Sequence, residues 1–86
     1  SFDEVVERAN NNDLGLCSYI YTNSMEKAHK ASELMETGCV AVNTPTVAIA
    51  EAPFGGIKQT GYGREGGSMA IKDYLNIKYT HLGLKT

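Results

Sequence analysis

The 86-residue sequence contains no tryptophan and has only two cysteines, two histidines and two prolines. Cys17 and Cys39 form no CxxC pair, and His29 and His81 lie far apart without cysteine neighbours. That leaves neither the multi-bridge disulfide framework of many small domains nor the common zinc-ligand spacings. A reactive cysteine requires an exposed turn or helix start and a nearby base. Both cysteines sit instead within apolar, strand-like runs, and they read as reduced core thiols of a cytoplasmic protein. Eight basic residues face ten acidic ones, for a net charge of −2. No basic stripe suits nucleic acid. No apolar run approaches the roughly 20 residues that a membrane span requires. The opening Ser1–Asp3 carries neither a basic region nor an apolar one, so no signal peptide is expected. A chain this short buries only about 60% of its unfolded surface, which makes it one small domain or a piece of a larger one.

What the sequence does have is glycine, and it is concentrated. Six of nine glycines fall in Glu51–Gly67, EAPFGGIKQTGYGREGG. A flexible linker would be bland and rich in Gly and Ser. This stretch carries Phe54, Ile57, Lys58, Tyr62, Arg64 and Glu65 between its glycines, so it reads as a shaped loop. Two functional readings stay open. One is an anion cradle of backbone N–H groups. It lacks the P-loop spacing, and no strand directly precedes Gly61-Tyr62-Gly63. The other is a lining loop that sets Phe54 against a substrate and uses Lys58, Arg64 and Glu65 for structural or proton-handling work.

The surrounding pattern predicts an α/β fold with about three helices and three strands. Ser1 and Glu4 have capping-box spacing, and Phe2, Val5, Val6 and Ala9 then share one helical face. Asn10–Asp13 ends that helix. Leu14–Tyr21 (LGLCSYIY) reads as a strand buried on both faces, as in a parallel sheet. Thr22–Ser24 offers an N-cap, and Met25, Ala28, Ala31, Leu34 and Met35 form the stripe of a second helix. Glu26 and Lys30 make an i,i+4 pair outside. Gly38 suits the left-handed position after that helix. Cys39–Val42 is a second strand, which completes a βαβ unit. Ligands of open α/β sheets sit beyond the carboxyl ends of strands, which directs attention to Asn43–Gly67. A third helix is expected over Gly66–Leu75 and a strand over Asn76–Leu84. His81, at its end, reads as a surface histidine. A strand this near a chain end can pair with a second molecule by edge addition.

PFGGIKQTGYGREGG resembles the C-terminal signature of the NAD(P)-dependent aldehyde dehydrogenases, PFGG-x-K-x-S/T-G-x-G-R-E. VVERANNNDLGLCSYIYT resembles the family's helix, turn and strand, and KASELMETGCVAVN its next helix and G-x-V-x-x-N strand. IKDYLNIKYTHLGL is similar to the family's ending, most like that of the succinate-semialdehyde dehydrogenase branch. The resemblance covers essentially all 86 residues. It implies that residues 1–76 are the last part of a catalytic domain and residues 77–86 an oligomerisation strand and tail.

The resemblance also implies roles by position. Phe54 would line the substrate tunnel, where an aromatic wall excludes water. Glu65 matches a glutamate given a proton-relay role in some members; the bland alternative is that Arg64 and Glu65 pin the loop. Lys58 and Gly61 match positions of a monovalent-cation site, where carbonyl oxygens are the ligands. Ala48 stands where the succinate-semialdehyde branch carries a serine that helps hold the substrate carboxylate, and Thr46 is the nearest hydroxyl. Family chemistry uses a cysteine nucleophile, hydride transfer to NAD or NADP, and water attack helped by a glutamate. Neither the nucleophile motif nor the cofactor domain occurs in this sequence, so the chain alone is expected to be inactive and to bind no cofactor. The expected partners are the missing N-terminal part of the enzyme, a second copy through the last strand, and an aldehyde. The competing reading is a free-standing α/β binding or assembly module without catalysis.

Overall fold

The computed structural model describes residues 1–85. Helix α1 spans Phe2–Asn10, and the Glu4 N–H donates to the Ser1 hydroxyl at 3.3 Å. Helix α2 spans Met25–Leu34 and is capped in the same way, Lys27 N–H to Ser24 Oγ at 3.2 Å. On its outer face Lys30 pairs with Glu26 at 3.1 Å. Both partners are exposed, so the pair adds only a few tenths of a kcal/mol.

Strand β2 (Cys17–Ile20) and strand β3 (Cys39–Val42) run parallel, with α2 between them in the chain. This is the expected βαβ unit, and the α/β fold class is the one observed. The register pairs Cys17 with Cys39, Ser18 with Val40, Tyr19 with Ala41 and Ile20 with Val42. Ala28 and Ala31 of α2 are buried with Ala41, and these small side chains form the apolar core among the described residues. Ser18 is buried too, and its hydroxyl is satisfied. It lies 2.9 Å from the Thr37 hydroxyl, which in turn donates to the Cys39 carbonyl at 2.9 Å. With the Thr37 proton committed to that carbonyl, Ser18 must be the donor to Thr37.

The single strand expected over Leu14–Tyr21 is interrupted. Strand β1 (Leu14–Gly15) leaves β2 at Leu16 and pairs antiparallel with strand β4 (Ile57–Lys58), a strand with no signal in the sequence. Burial on both faces also fails, because two-stranded sheets have too few layers to cover them: Leu14 is 61% and Tyr19 50% exposed.

The expected third helix is replaced by a short 3-10 segment at Ala70–Tyr74. Gly66 and Gly67 have φ of +74° and +70°, outside the α-helical region, and the Gly67 N–H donates to the Ala50 carbonyl rather than to a helix. The segment expected as a C-terminal strand, Asn76–Leu84, carries no strand pairing among the described residues. A strand needs a neighbour for its N–H and C=O groups, and here Ile77, Tyr79, Leu82 and Leu84 all stand exposed. Of the expected tail, Thr86 lies outside the described residues.

Gly38 does not occupy the left-handed position after α2. The helix ends at Leu34 with Met35 as its extended cap. Gly38 matters for a different reason: a Cβ there would sit 1.8 Å from the Gly55 carbonyl oxygen, with further backbone at 2.7 Å. Two backbones pass in contact, and both would have to move to admit a methyl group. Gly38→Ala should therefore destabilise the fold by about 1–3 kcal/mol, the range of overpacking. Gly83→Ala, where nothing lies within 4 Å, should be near neutral. Urea denaturation of the two variants checks the contrast.

Candidate functional site

The loop beyond β3 begins at Asn43, which adopts φ +57°. Its side chain accepts from the Thr22 N–H at 2.9 Å and donates to the Thr22 carbonyl at 3.1 Å. Asn tolerates the left-handed region better than other L residues, because its short amide bonds locally. It thereby ties the carboxyl ends of β2 and β3 together.

The glycine-rich stretch is held shut by a two-residue bridge. Phe54 and Glu65 exchange both backbone hydrogen bonds, each 2.7 Å long. The Arg64 guanidinium lies across the base of this loop. Its Nη1 donates to the carbonyls of Gly56 at 3.0 Å and Gly63 at 2.8 Å. Gly55 must lack a side chain, since a Cβ there would lie 2.4 Å from the Gly63 oxygen. The Arg64 N–H donates in turn to the Asp73 carboxylate at 2.5 Å. Asp73 thus fastens the loop to the 3-10 segment that follows.

Ala48, Phe54 and Glu65 come together, with Ile49, Ala50 and Gly66, around a cavity of about 330 Å³. A second cavity of about 390 Å³ opens over the glycines and reaches Tyr74. Phe54 and Glu65 line both. Phe54 is half-buried, whereas Glu65 is exposed and bonds its neighbour through the backbone. Thr46 is not brought into this group. It stays exposed, its N–H bonded to the Thr44 hydroxyl at 3.2 Å.

Gly61 lines the second cavity beside Phe54 and Glu65, whereas Lys58 lines neither; the two stand at the ends of one turn, where the Gly61 N–H donates to the Lys58 carbonyl at 3.3 Å. The Lys58 side chain has a structural task. Its ammonium donates to the carbonyls of Asn10 at 3.0 Å and Asn12 at 3.2 Å, and pairs with Glu36 at 3.3 Å. A cation on the carbonyls at a helix C-terminus is favourable electrostatically. After the positive-φ glycines comes a five-residue 3-10 segment rather than an α-helix. An anion cradle on this loop therefore has no helix N-terminus to draw on.

The sequence reading missed Asp73, Asn43 and Asn10. Asn10 bonds the Leu34 carbonyl and the Glu36 N–H, both at 2.8 Å, across to the end of α2. No spacing rule links residues so far apart in the chain. Arg64→Ala should release the loop, because hydrogen bonds from a charged group contribute about 1.5–3 kcal/mol. Amide exchange at Phe54 and Glu65 should quicken by at least tenfold while that in α2 stays unchanged.

Comparison with known proteins agrees with this geometry. The chain is 52% identical over 83 residues to a 3-sulfolactaldehyde dehydrogenase of Pseudomonas putida, an alignment covering 96% of this chain and 17% of that protein. It is 42% identical over 81 residues to an NADP(+) succinate-semialdehyde dehydrogenase of Escherichia coli K12, covering 94% of this chain and 17% of that protein. The fold superposes on the NAD+ complex of an aldehyde dehydrogenase from Bacillus cereus with a TM-score of 0.89 and 39% identity, covering 99% of this chain and 17% of that one. The chain thus spans about a sixth of the length of these relatives. The sequence pattern of the aldehyde dehydrogenase family matches residues 1–80, and with the fold and the glycine-rich loop in agreement, this chain belongs to that family.

Proposed function

We propose that this chain is the C-terminal segment of an NAD(P)-dependent aldehyde dehydrogenase that oxidises an anionic aldehyde, such as succinate semialdehyde, to its carboxylic acid. The observation that carries the reading is the Phe54–Glu65 bridge, which sets an aromatic ring and a carboxylate on one cavity with Ala48. The relatives' names support the substrate class, since sulfolactaldehyde and succinate semialdehyde each carry an acidic group.

In this reading Phe54 forms part of the tunnel wall and excludes water from the reacting carbon. Glu65 is exposed at the cavity edge, where a carboxylate can pass a proton to solvent. Arg64 and Asp73 are positioning residues, which hold that wall through the backbone. The carbonyls of Lys58 and Gly61 are the groups available to a monovalent cation. The nucleophile, the general base and the dinucleotide site belong to the part of the enzyme outside this chain. NAD or NADP bound there supplies the hydride acceptor. Residues 1–76 complete the catalytic domain. Residues 77–86 pair with a second subunit as an added strand, which would cover Ile77, Tyr79, Leu82 and Leu84 and supply their backbone partners. The compartment is the cytoplasm, in keeping with two cysteines that are both free thiols.

The first test is turnover. The complete polypeptide should form NAD(P)H on addition of succinate semialdehyde, and the pure 86-residue chain should form none. Aldehyde-dependent NAD(P)H from the short chain would overturn the assignment. The second test concerns Ala48, which has no hydroxyl to donate to a substrate carboxylate. Ala48→Ser in the complete enzyme should lower KM for succinate semialdehyde about 3- to 10-fold, the value of one added hydrogen bond, with kcat little changed. An unaltered KM would remove Ala48 from the substrate site.

A further inference from the structure

Cys17 and Cys39 take no part in the site described above, yet they stand opposite each other. They are register partners across the parallel β2–β3 pair. Neighbouring strands lie about 4.8 Å apart, and residues in register project to the same face. That spacing falls within the roughly 4.4–6.8 Å between Cα atoms that a disulfide spans. Both residues are free thiols. Cys39 also touches the functional loop: its Sγ donates to the Gly55 carbonyl at 3.5 Å, next to Phe54. The same carbonyl is the one against which Gly38 is packed.

We propose that Cys17 and Cys39 form a reversible oxidation site, in which a hydroperoxide converts the two thiols to a disulfide that draws Cys39 off the Gly55 carbonyl. Burial and the facing Cys39 push the Cys17 thiol up, so in the first step the Cys39 thiolate attacks a peroxide oxygen. The O–O bond breaks, an S–O bond forms, and water leaves (an alcohol from an organic hydroperoxide). The second thiolate then displaces the sulfenic oxygen as water and forms the S–S bond. Two sulfur atoms are oxidised, one peroxide is reduced, and both thiol protons end in water. The strand spacing also explains reversibility. A relaxed disulfide holds its Cβ atoms about 3.8 Å apart, closer than strands at their normal separation. The strands must draw together, and a strained disulfide is readily reduced. Closure competes directly with the Cys39–Gly55 contact, so the loop that carries Phe54 loses one of its anchors.

The test uses the native full-length polypeptide and needs no turnover. It is treated with a small excess of hydrogen peroxide, alkylated under denaturing conditions and digested. The expected product is one linked pair of peptides carrying Cys17 and Cys39, lighter by two hydrogens, which dithiothreitol separates. Amide exchange over residues 54–58 should quicken at least fivefold in the oxidised form and return on reduction. Cys17→Ser should abolish both the link and the exchange response. Recovery of both cysteines as alkylated thiols, or as separate sulfinic acids, overturns the proposal. A linked pair with unchanged exchange over 54–58 overturns its connection to the loop.

Discussion

The contact between two backbones, Gly38 against Gly55, is the constraint on which the other features depend. At 1.8 Å from a would-be Cβ to a carbonyl oxygen, no side chain fits at Gly38. This contact presses the glycine-rich loop onto the start of β3, and three hydrogen bonds tie both of them to Gly15 and Leu16. The Gly38 N–H donates to Gly15, the Cys39 N–H to Leu16, and the Gly15 N–H to the Thr60 hydroxyl, at 3.0, 3.0 and 2.8 Å. The β1–β4 pair then closes the far side of the loop. The break at Leu16 falls where the chain passes from its antiparallel pairing with β4 to its parallel pairing with β3.

Charged side chains in this segment act largely on backbone carbonyls. Lys58 holds the end of α1, and Arg64 holds Gly56 and Gly63. A loop bent away from regular structure leaves carbonyls without partners, and each must be satisfied to avoid a penalty of about 1–3 kcal/mol. A guanidinium with five N–H donors can satisfy several from one position. The conspicuous charges of the signature thus act first as structure. Glu65 differs, since its backbone makes the bridge to Phe54 while its carboxylate stands exposed beside the cavity.

Much of the fold was legible in the sequence, and the reason is locality. Both helices announce themselves by a serine cap, and the Asn10–Asp13 turn and the Cys39–Val42 strand follow from residues within a few positions. What was not legible depends on partners far along the chain. Ile57–Lys58 is a strand only because Leu14–Gly15 lies beside it. Gly66–Leu75 has helical spacing, but the left-handed backbone at Gly66 and Gly67 prevents a helix from starting there. The site divides in the same way. The signature brought Phe54 and Glu65 to attention, while Asp73, nine residues beyond Arg64, appears only when the loop closes. Thr46, proposed because it is near Ala48 in the chain, is not among the residues that line the cavity.

The exposed apolar surface follows from how few layers this chain supplies. The apolar core among the described residues consists of three alanines, while Val5, Leu14, Tyr19, Tyr21, Met25 and Leu34 remain more than half or about half exposed. An evolved monomer rarely leaves so many large apolar side chains uncovered. A segment that makes up 17% of its relatives has only part of the layers that would cover them. A first sheet of two strands and a second of two strands cannot bury both faces, whatever their sequence. The apolar runs of β2 and β3 are therefore matched to neighbours that lie outside this chain. That favours an enzyme segment over a free-standing module, because a module selected to stand alone would have polar residues on the outer faces of those strands.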